Sequence, residues 1–424
     1  MIKNLITIFK TKDLRTKILV VLGLLLAFRL LAVIPLSQVN PEVMKSFLDS
    51  SRAFGLLNIF TGSAFQNVSI AMLGVGPYIT SSIILQLLVM VFPTLKEKYM
   101  EDAEGRKKFD ALTRYITVPL AILQGFGMLK ILQMQGIIVI DSVWGLISNI
   151  IILTAGSMLI VWFGDLITEK KMGNGISMII FAGIVATLPM SLFNTIVTGV
   201  GSMASIISVS IFLVLSLLMI IGIVYVNEGE RRVPVSYARH VRGNKVFGGM
   251  NTHLPLKVNQ AGVIPIIFAI SFLAMPGLFG QLFATSTNTV LVNISQFMIN
   301  ITENVWFYNI LYFVMVFGFT FFYTSLTFDP GEISKNLQKM GGFIPGYRPG
   351  ERTENYLRNI SSRITLFGAL FLSLVAILPN ILQIITKVNT FQMGGTSVLI
   401  MVAVALEIKR EIEAQLSMRE YSAY

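Results

Sequence analysis

Ten runs nearly free of charge, between 16 and 25 residues long, constrain this chain more than any other feature. They lie near 18–36, 68–92, 115–134, 144–166, 176–198, 204–226, 261–283, 305–327, 364–385 and 394–409. A helix rising 1.5 Å per residue needs about 20 residues to cross about 30 Å of hydrocarbon. The runs therefore predict membrane-spanning helices. Only 13% of the residues are charged and 54% are hydrophobic, whereas soluble chains carry about 25% charge. The first run, Ile18 to Leu36, exceeds a signal-peptide core and has no evident small-x-small cleavage site after it, so it is read as a retained span.

The charges fix an orientation. The chain has 33 Lys and Arg against 22 Asp and Glu, a net charge of +11. Of the basic residues, 28 fall on alternate flanks: the N-terminus, 93–114, 167–175, 227–260, 328–363 and the C-terminus. The opposite flanks hold only Lys45, Arg52, Lys130 and Lys387. Cytoplasmic loops are the ones rich in Lys and Arg, so both termini are expected in the cytosol, as an even number of spans requires.

Ten spans divide into five and five, with a natural boundary between 1–203 and 204–424. Two odd-numbered halves in series have opposite orientation, which makes any repeat an inverted one. Gly74-Val75-Gly76-Pro77-Tyr78-Ile79 in span two matches Gly262-Val263-Ile264-Pro265-Ile266-Ile267 in span seven. Span five opens after Gly173-Asn174-Gly175, and the short span ten at Gly394-Gly395. Interrupted spans at matching places point to a central path. For any one of them, tight helix contact is the competing explanation.

The residues along the path disfavour ion-coupled transport and catalysis. Coupled transporters carry ionisable groups near the midplane. Here Arg29 lies close enough to the outer end of span one to snorkel, Lys130 is at an outer end, and Asp165 and Glu407 are at cytoplasmic ends. A secondary transporter and a purely structural scaffold remain the competing classes. His240 and His253 are the only histidines and share one loop, two ligands at most for a metal. No Cys is present, so no disulfide and no thiolate metal site is possible. No P-loop is present, so energy must come from a partner. Asn293 and Asn300 head short sequon-like triplets on the outer side. A pore sealed by branched aliphatic side chains, which exclude water and ions by dewetting, fits what is left.

The stretch SIAMLGVGPYITSSIILQLL (69–88) resembles a signature of the SecY family, central subunits of protein-conducting channels. WFGDLITE (162–169), running on to Gly173-Asn174-Gly175-Ile176-Ser177, resembles a second. EGRKK (104–108), ERRVPVSYAR (230–239), HLPLKVNQAGVIPIIF (253–268), GGFIPGYRPGERT (341–353) and GGTSVLI (394–400) follow in family order over nearly the whole chain. The resemblance implies an all-α polytopic membrane protein, ten transmembrane helices in two inverted five-helix halves around a central hourglass pore. It implies further that such a protein translocates unfolded preproteins and releases hydrophobic segments sideways into the bilayer.

Carried over by motif, the aliphatic ring at the waist is Val75, Ile79, Ile180, Ile184, Ile267 and Ile400. Position 75 is more often isoleucine in the family, so Val75 implies a slightly looser seal. Residues 52–66 would form a plug on the outer side, an interfacial loop being the alternative. Thr80, Ser82 and Gln86 on span two, with Asn259 and Gln260 leading into span seven, are expected at a lateral gate between spans two and three and spans seven and eight. Val233, Val235 and Tyr237 alternate with polar residues, and the chain then turns at Arg242-Gly243-Asn244-Lys245, the pattern of a hairpin. The resemblance implies that loops 227–260 and 328–363 dock the SecA motor ATPase and the ribosome, through Arg231, Arg232, Arg239 and Arg348. It also implies a SecE subunit, usually SecG, signal peptides and membrane lipids as partners, a bacterial inner membrane as location, no catalytic activity, no cofactor and no metal.

Overall fold

The computed structural model describes residues 11–36, 39, 41–50, 54, 58, 61–100, 103–140, 142–199, 203–237, 239–242, 245–248, 251–283, 288–386 and 395–422. Each of the ten apolar runs carries a helix: α1 (Lys12–Val33), α3 (Gly76–Val91), α5 (Ala103–Met134), α6 (Val143–Glu169), α7 (Gly175–Gly199), α8 (Met203–Glu228), α9 (Ile264–Phe283), α11 (Val305–Thr327), α13 (Glu351–Thr386) and α14 (Gly395–Ser422). Four shorter helices, not foreseen from the sequence, lie between them: α2 (Pro41–Ser50), α4 (Pro93–Met100), α10 (Thr289–Glu303) and α12 (Pro330–Lys339). The strands are β1 (Glu230–Tyr237), β2 (Arg239–Arg242), β3 (Lys245–Gly248), β4 (Asn251–Lys257) and β5 (Gly342–Phe343).

The helix exteriors are those of a multi-pass membrane protein. Leu19, Leu22, Leu26 and Leu30 of α1 are each more than half exposed, a continuous apolar stripe at helical spacing. Trp144 and Trp306 are exposed at the first turns of α6 and α11, and Tyr115 and Tyr225 where the apolar runs of α5 and α8 meet their polar flanks. Amphipathic rings at both ends of spans suit the two membrane interfaces. A large buried cluster holds these helices together, drawing on α1, α6, α7, α8, α9, α11, α13 and α14 as well as Val75 at the start of α3.

The second span begins later than its hydrophobicity suggests. Residues 61–75 form a chain of turns, and the helix proper starts at Gly76 with Pro77 in its first turn. Gly74 has φ +54°, a left-handed conformation that ends one segment before the next begins. Pro77 removes an amide that would be unpaired in a first turn anyway and presets φ for the helix. The proline is thus a starter and not an interior breaker. The seventh span repeats this geometry: Gly262 has φ +65°, and α9 opens at Ile264 with Pro265 next. At the other extreme, α5, α13 and α14 run well past their apolar runs, because nothing in their polar flanks stops the helix.

Between α8 and α9, β1 pairs antiparallel with β4, Val233 opposite Leu254 and Val235 opposite Thr252. The expected hairpin is present as β2 and β3, with Arg242 opposite Lys245; its tip, residues 243–244, lies outside the described residues. The sequence did not foretell β5, whose Phe343 and Gly342 pair with Ser236 and Tyr237. This pairing joins the two basic loops in one sheet over a core of Val233, Val235, Leu256, Ile344, Leu357 and Ile360. The loops are one body.

Candidate functional site

A cavity of about 110 Å³ lies where α3, α5, α7 and α9 meet. Val75, Ile79, Ile180 and Ile267 line it, four of the six residues expected at the waist. Ile184 and Ile400 are buried in the same apolar cluster, outside the lining of this cavity. All six carry a branched β-carbon, so few rotamers need to be ordered to pack them tightly. The cavity floor is therefore apolar and stiff.

Thr80 and Gln124 supply a polar wall to the same cavity. Gln124 on α5 donates to the Thr80 hydroxyl at 3.3 Å, and that hydroxyl donates to the Gly76 carbonyl at 3.0 Å. Gln86 donates to Ser82 at 2.9 Å along the same helix. Asn259 donates to Asn227 on α8 at 2.7 Å and to the Gly262 carbonyl at 3.1 Å. The polar residues of α3 and of the approach to α9 thus bond within their own sides of the seam, not across it. One oxygen on each of Gln86, Asn259 and Gln260 is buried without a hydrogen-bond partner. Such orphaned acceptors make a closed seam less stable than a fully satisfied one. At this seam α9 packs directly on α3 and α5, and on α11 behind them.

The charged residues near the path serve structural contacts. Arg114 pairs with Asp165 at 3.3 Å, and Glu407 accepts the Asn174 amide at 3.2 Å. Asp110, in the polar N-terminal part of α5, has its carboxyl pushed above the usual range by burial, with Arg114 pulling it back. Arg29 does not snorkel outward as expected. It is half-buried and donates to the backbone carbonyl of Gly62.

Within 52–66, Phe54, Asn58 and 61–66 are described and the rest of the segment is not. Much of the stretch from 61 onward is packed: Ala64, Phe65, Val68 and Ala71 are fully buried, and Phe65 stacks on Phe54 at 5.6 Å, while Gln66 and Asn67 are exposed. What holds them has no signature in the sequence. Gly156 of α6 lets the Ile70 backbone come close, since a Cβ there would stand 2.2 Å from the Ile70 carbonyl oxygen. Next to it, buried Ser157 donates to the Gly74 carbonyl at 2.9 Å.

On the body formed by the two basic loops, Arg231 and Arg232 are exposed on β1, the latter bonded to Glu230 at 2.7 Å. Arg348 is exposed in a turn between Gly346 and Gly350, whose φ values are +89° and +103°. Tyr347 stacks on Tyr356 at 4.0 Å, and the Arg348 carbonyl accepts the Thr353 hydroxyl at 2.8 Å. This turn is therefore stiff. Arg239 lies on β2, beyond the pairing of β1 with β5.

The SecY family model matches residues 69–409. A protein translocase subunit SecY of Corynebacterium glutamicum is 39% identical over 439 aligned residues, covering 98% of each chain. Two solved structures share the fold at lower identity. One, described as the structure of a protein conducting channel, has a TM-score of 0.66 at 18% identity over 93% of this chain and 91% of the other. The second, Sec61 in the canine ribosome–channel complex from the endoplasmic reticulum, has a TM-score of 0.61 at 17% identity over 93% and 91%. Val75, Ile79, Ile180, Ile184, Ile267 and Ile400, the broken second and seventh spans and the sheet of β1, β4 and β5 all lie inside the matched stretch, and the chain belongs to the SecY family.

Proposed function

We propose that this chain is the channel-forming subunit of a protein translocase, passing unfolded preproteins between its halves and releasing hydrophobic segments sideways. The observation that carries the reading is the apolar cavity at which Val75, Ile79, Ile180 and Ile267 converge from three helices. Ile184 and Ile400 complete the ring. A waist of this kind keeps ions out by dewetting and yields around a chemically varied guest, because it makes no directional bond that a guest must match. The halves are 1–203 and 204–424; the matching left-handed glycines and first-turn prolines of α3 and α9 support an inverted relation between them.

The seam between α3 and α9, with Thr80, Ser82, Gln86, Asn259 and Gln260 along it, serves as the lateral gate. Its unpaired acceptors favour opening when an apolar signal segment inserts. The segment ending at residue 66 plugs the outer funnel. The cytoplasmic body docks a SecA motor and the ribosome through Arg231, Arg232, Arg239 and Arg348, basic groups suited to acidic protein surfaces and RNA phosphates. SecE and SecG complete the assembly in the cytoplasmic membrane of a bacterium, with both termini in the cytosol. The chain itself performs no catalysis; the pairing of Asp165 with Arg114 speaks against ion-coupled transport as well.

The absence of Cys makes the test clean. A single Cys at Ile79 or Ile267 is combined with one along a secretory chain stalled midway through export. Disulfides to mid-chain positions, dependent on motor and ATP, are expected. Export without a crosslink from any ring position would mean that the polypeptide travels elsewhere.

A further inference from the structure

Arg29 is a fixed charge on a helix whose neighbouring turns are leucine, phenylalanine and alanine, in a position where a guanidinium is expensive to keep. Its bond partner is a backbone carbonyl 33 residues away, that of Gly62. Gly62 is boxed in from two sides. A Cβ there would stand 2.6 Å from Arg29 Nη1 and 2.7 Å from the Gly183 Cα of α7. Gly62 also has φ +63°, so both its conformation and its surroundings call for glycine. Gly183 immediately precedes Ile184, one of the ring residues.

The segment that follows is under conformational tension. Ser63 has φ +66° and Val68 φ +44°, left-handed values that non-glycine residues adopt rarely and β-branched ones hardly at all. Strained backbone persists only where surrounding contacts over-determine it. Arg29 supplies one such contact from α1, and Ser157 another from α6 at the far end of the turns.

Resting on the pore reading above, we propose that Arg29 is a positioning residue that latches the plug: its guanidinium clasps the Gly62 carbonyl against Gly183 and holds the segment shut beneath the waist. The clasp has one jaw on α1 and one on α7. A guest that widens the ring displaces α7 at Ile184, carries Gly183 off Gly62 and opens the jaw. The strained turns then favour release, so the plug leaves when the waist is occupied and returns when α7 closes. A charge-assisted bond suits this use, being stronger than a neutral one yet breakable at a single atom.

The test uses the assembled translocase in proteoliposomes without client. Two readouts are taken: passive ion leak, and the rate at which a membrane-impermeant maleimide modifies the thiol of Ser63→Cys. Arg29→Met should raise both, the labelling by about tenfold, the population change one charge-assisted bond is worth. Arg29→Lys keeps charge and one donor and should fall between; it decides the matter if Arg29→Met does not accumulate. Ile180→Gly serves as the ring comparator. Labelling and leak unchanged by Arg29 variants, while Ile180→Gly leaks, would overturn the latch and leave the pore. Leak from Arg29→Met with unchanged labelling would overturn it too, since the opening would then be elsewhere. Tight vesicles in all variants, Ile180→Gly included, would bring down the pore reading and the latch with it.

Discussion

The chain breaks two of its spans with the same four-residue device and anchors them in opposite ways. At Gly74-Val75-Gly76-Pro77 the carbonyl of the first glycine accepts a hydroxyl from Ser157, 83 residues away on another helix. At Gly262-Val263-Ile264-Pro265 the corresponding carbonyl accepts the amide of Asn259, three residues back. A Cβ on Gly74 would meet the Thr61 methyl at 3.2 Å, whereas one on Gly262 would meet nothing within 4 Å. The first break is a tertiary joint holding a packed run of turns; the second is a local cap where a strand hands over to a helix. Equal backbone geometry therefore does not mean equal function. The joint is found where a segment has to be held, and the cap where the chain only has to change direction.

The largest effect that would break this contrast is at the far side of the joint. Gly156→Ala would gain about 1 kcal/mol of helix propensity. Its Cβ, however, would stand 2.2 Å from the Ile70 carbonyl oxygen and 2.7 Å from the Ile70 Cγ2, and backbone cannot yield as a side chain can. A net loss of about 3 kcal/mol is expected, at the upper end for overpacking. It would be read as a lower melting midpoint of the purified complex. Gly318→Ala on α11, with nothing within 4 Å of its Cβ, is the control and should be neutral or slightly stabilising. If Gly156→Ala melts like Gly318→Ala, α6 does not hold the turns.

Next comes the direct comparison. Gly74→Ala and Gly262→Ala both place a Cβ in the left-handed region, at about 1–2 kcal/mol each. Gly74→Ala must also push back Thr61, whose hydroxyl is engaged with the Asn58 carbonyl and the Phe65 amide. Gly74→Ala should be the more destabilising by about 1 kcal/mol. Equal midpoints for the two variants would erase the distinction between joint and cap.

The sequence reveals the device but not its anchorage, and the reason is physical. Span positions follow from hydropathy alone, because a bilayer leaves no choice for a long uncharged run. The six residues proposed for the waist were placed through the family motifs that carry them, and four of them line one cavity. The restraints on the segment proposed as the plug had no such motif. Arg29 bonds a backbone carbonyl, and a carbonyl has no side-chain signature; Gly156 acts through what it lacks. Likewise Thr80 and Asn259 were readable as polar residues in a seam, yet their partners Gln124 and Asn227 depend on helix rotation, which hydropathy does not encode. The two-residue strand β5 is too short for any periodicity, so the joining of the basic loops could be seen only in three dimensions.

The smallest expected effect tests whether the two breaks are also tied at their far ends. Lys96, on α4 just past the second span, pairs with Asp329 at 3.1 Å; Asp329 lies just past the end of α11, which packs on α9. Asp329 also caps α12, accepting the Gly331 amide at 2.9 Å and the Glu332 amide at 3.3 Å. Burial works against its charge, but Lys96 and those amides prevail and hold the carboxyl below its usual value. A depressed carboxylate contributes stability above its unfolded pKa, and the contribution is lost as pH falls through the folded value. With side chains 50% and 42% exposed the pair is worth about 0.2–1 kcal/mol at low salt. Lys96→Met should therefore lower the melting midpoint slightly at pH 7, with the difference from the parent shrinking as pH falls below the usual carboxylate range. Asp329→Asn, which keeps a capping oxygen, should reproduce the neutral-pH loss without melting α12. A Lys96→Met difference that persists undiminished below the usual carboxylate range would mean that the lysine acts through its packing and that the gate ends are not tied by charge.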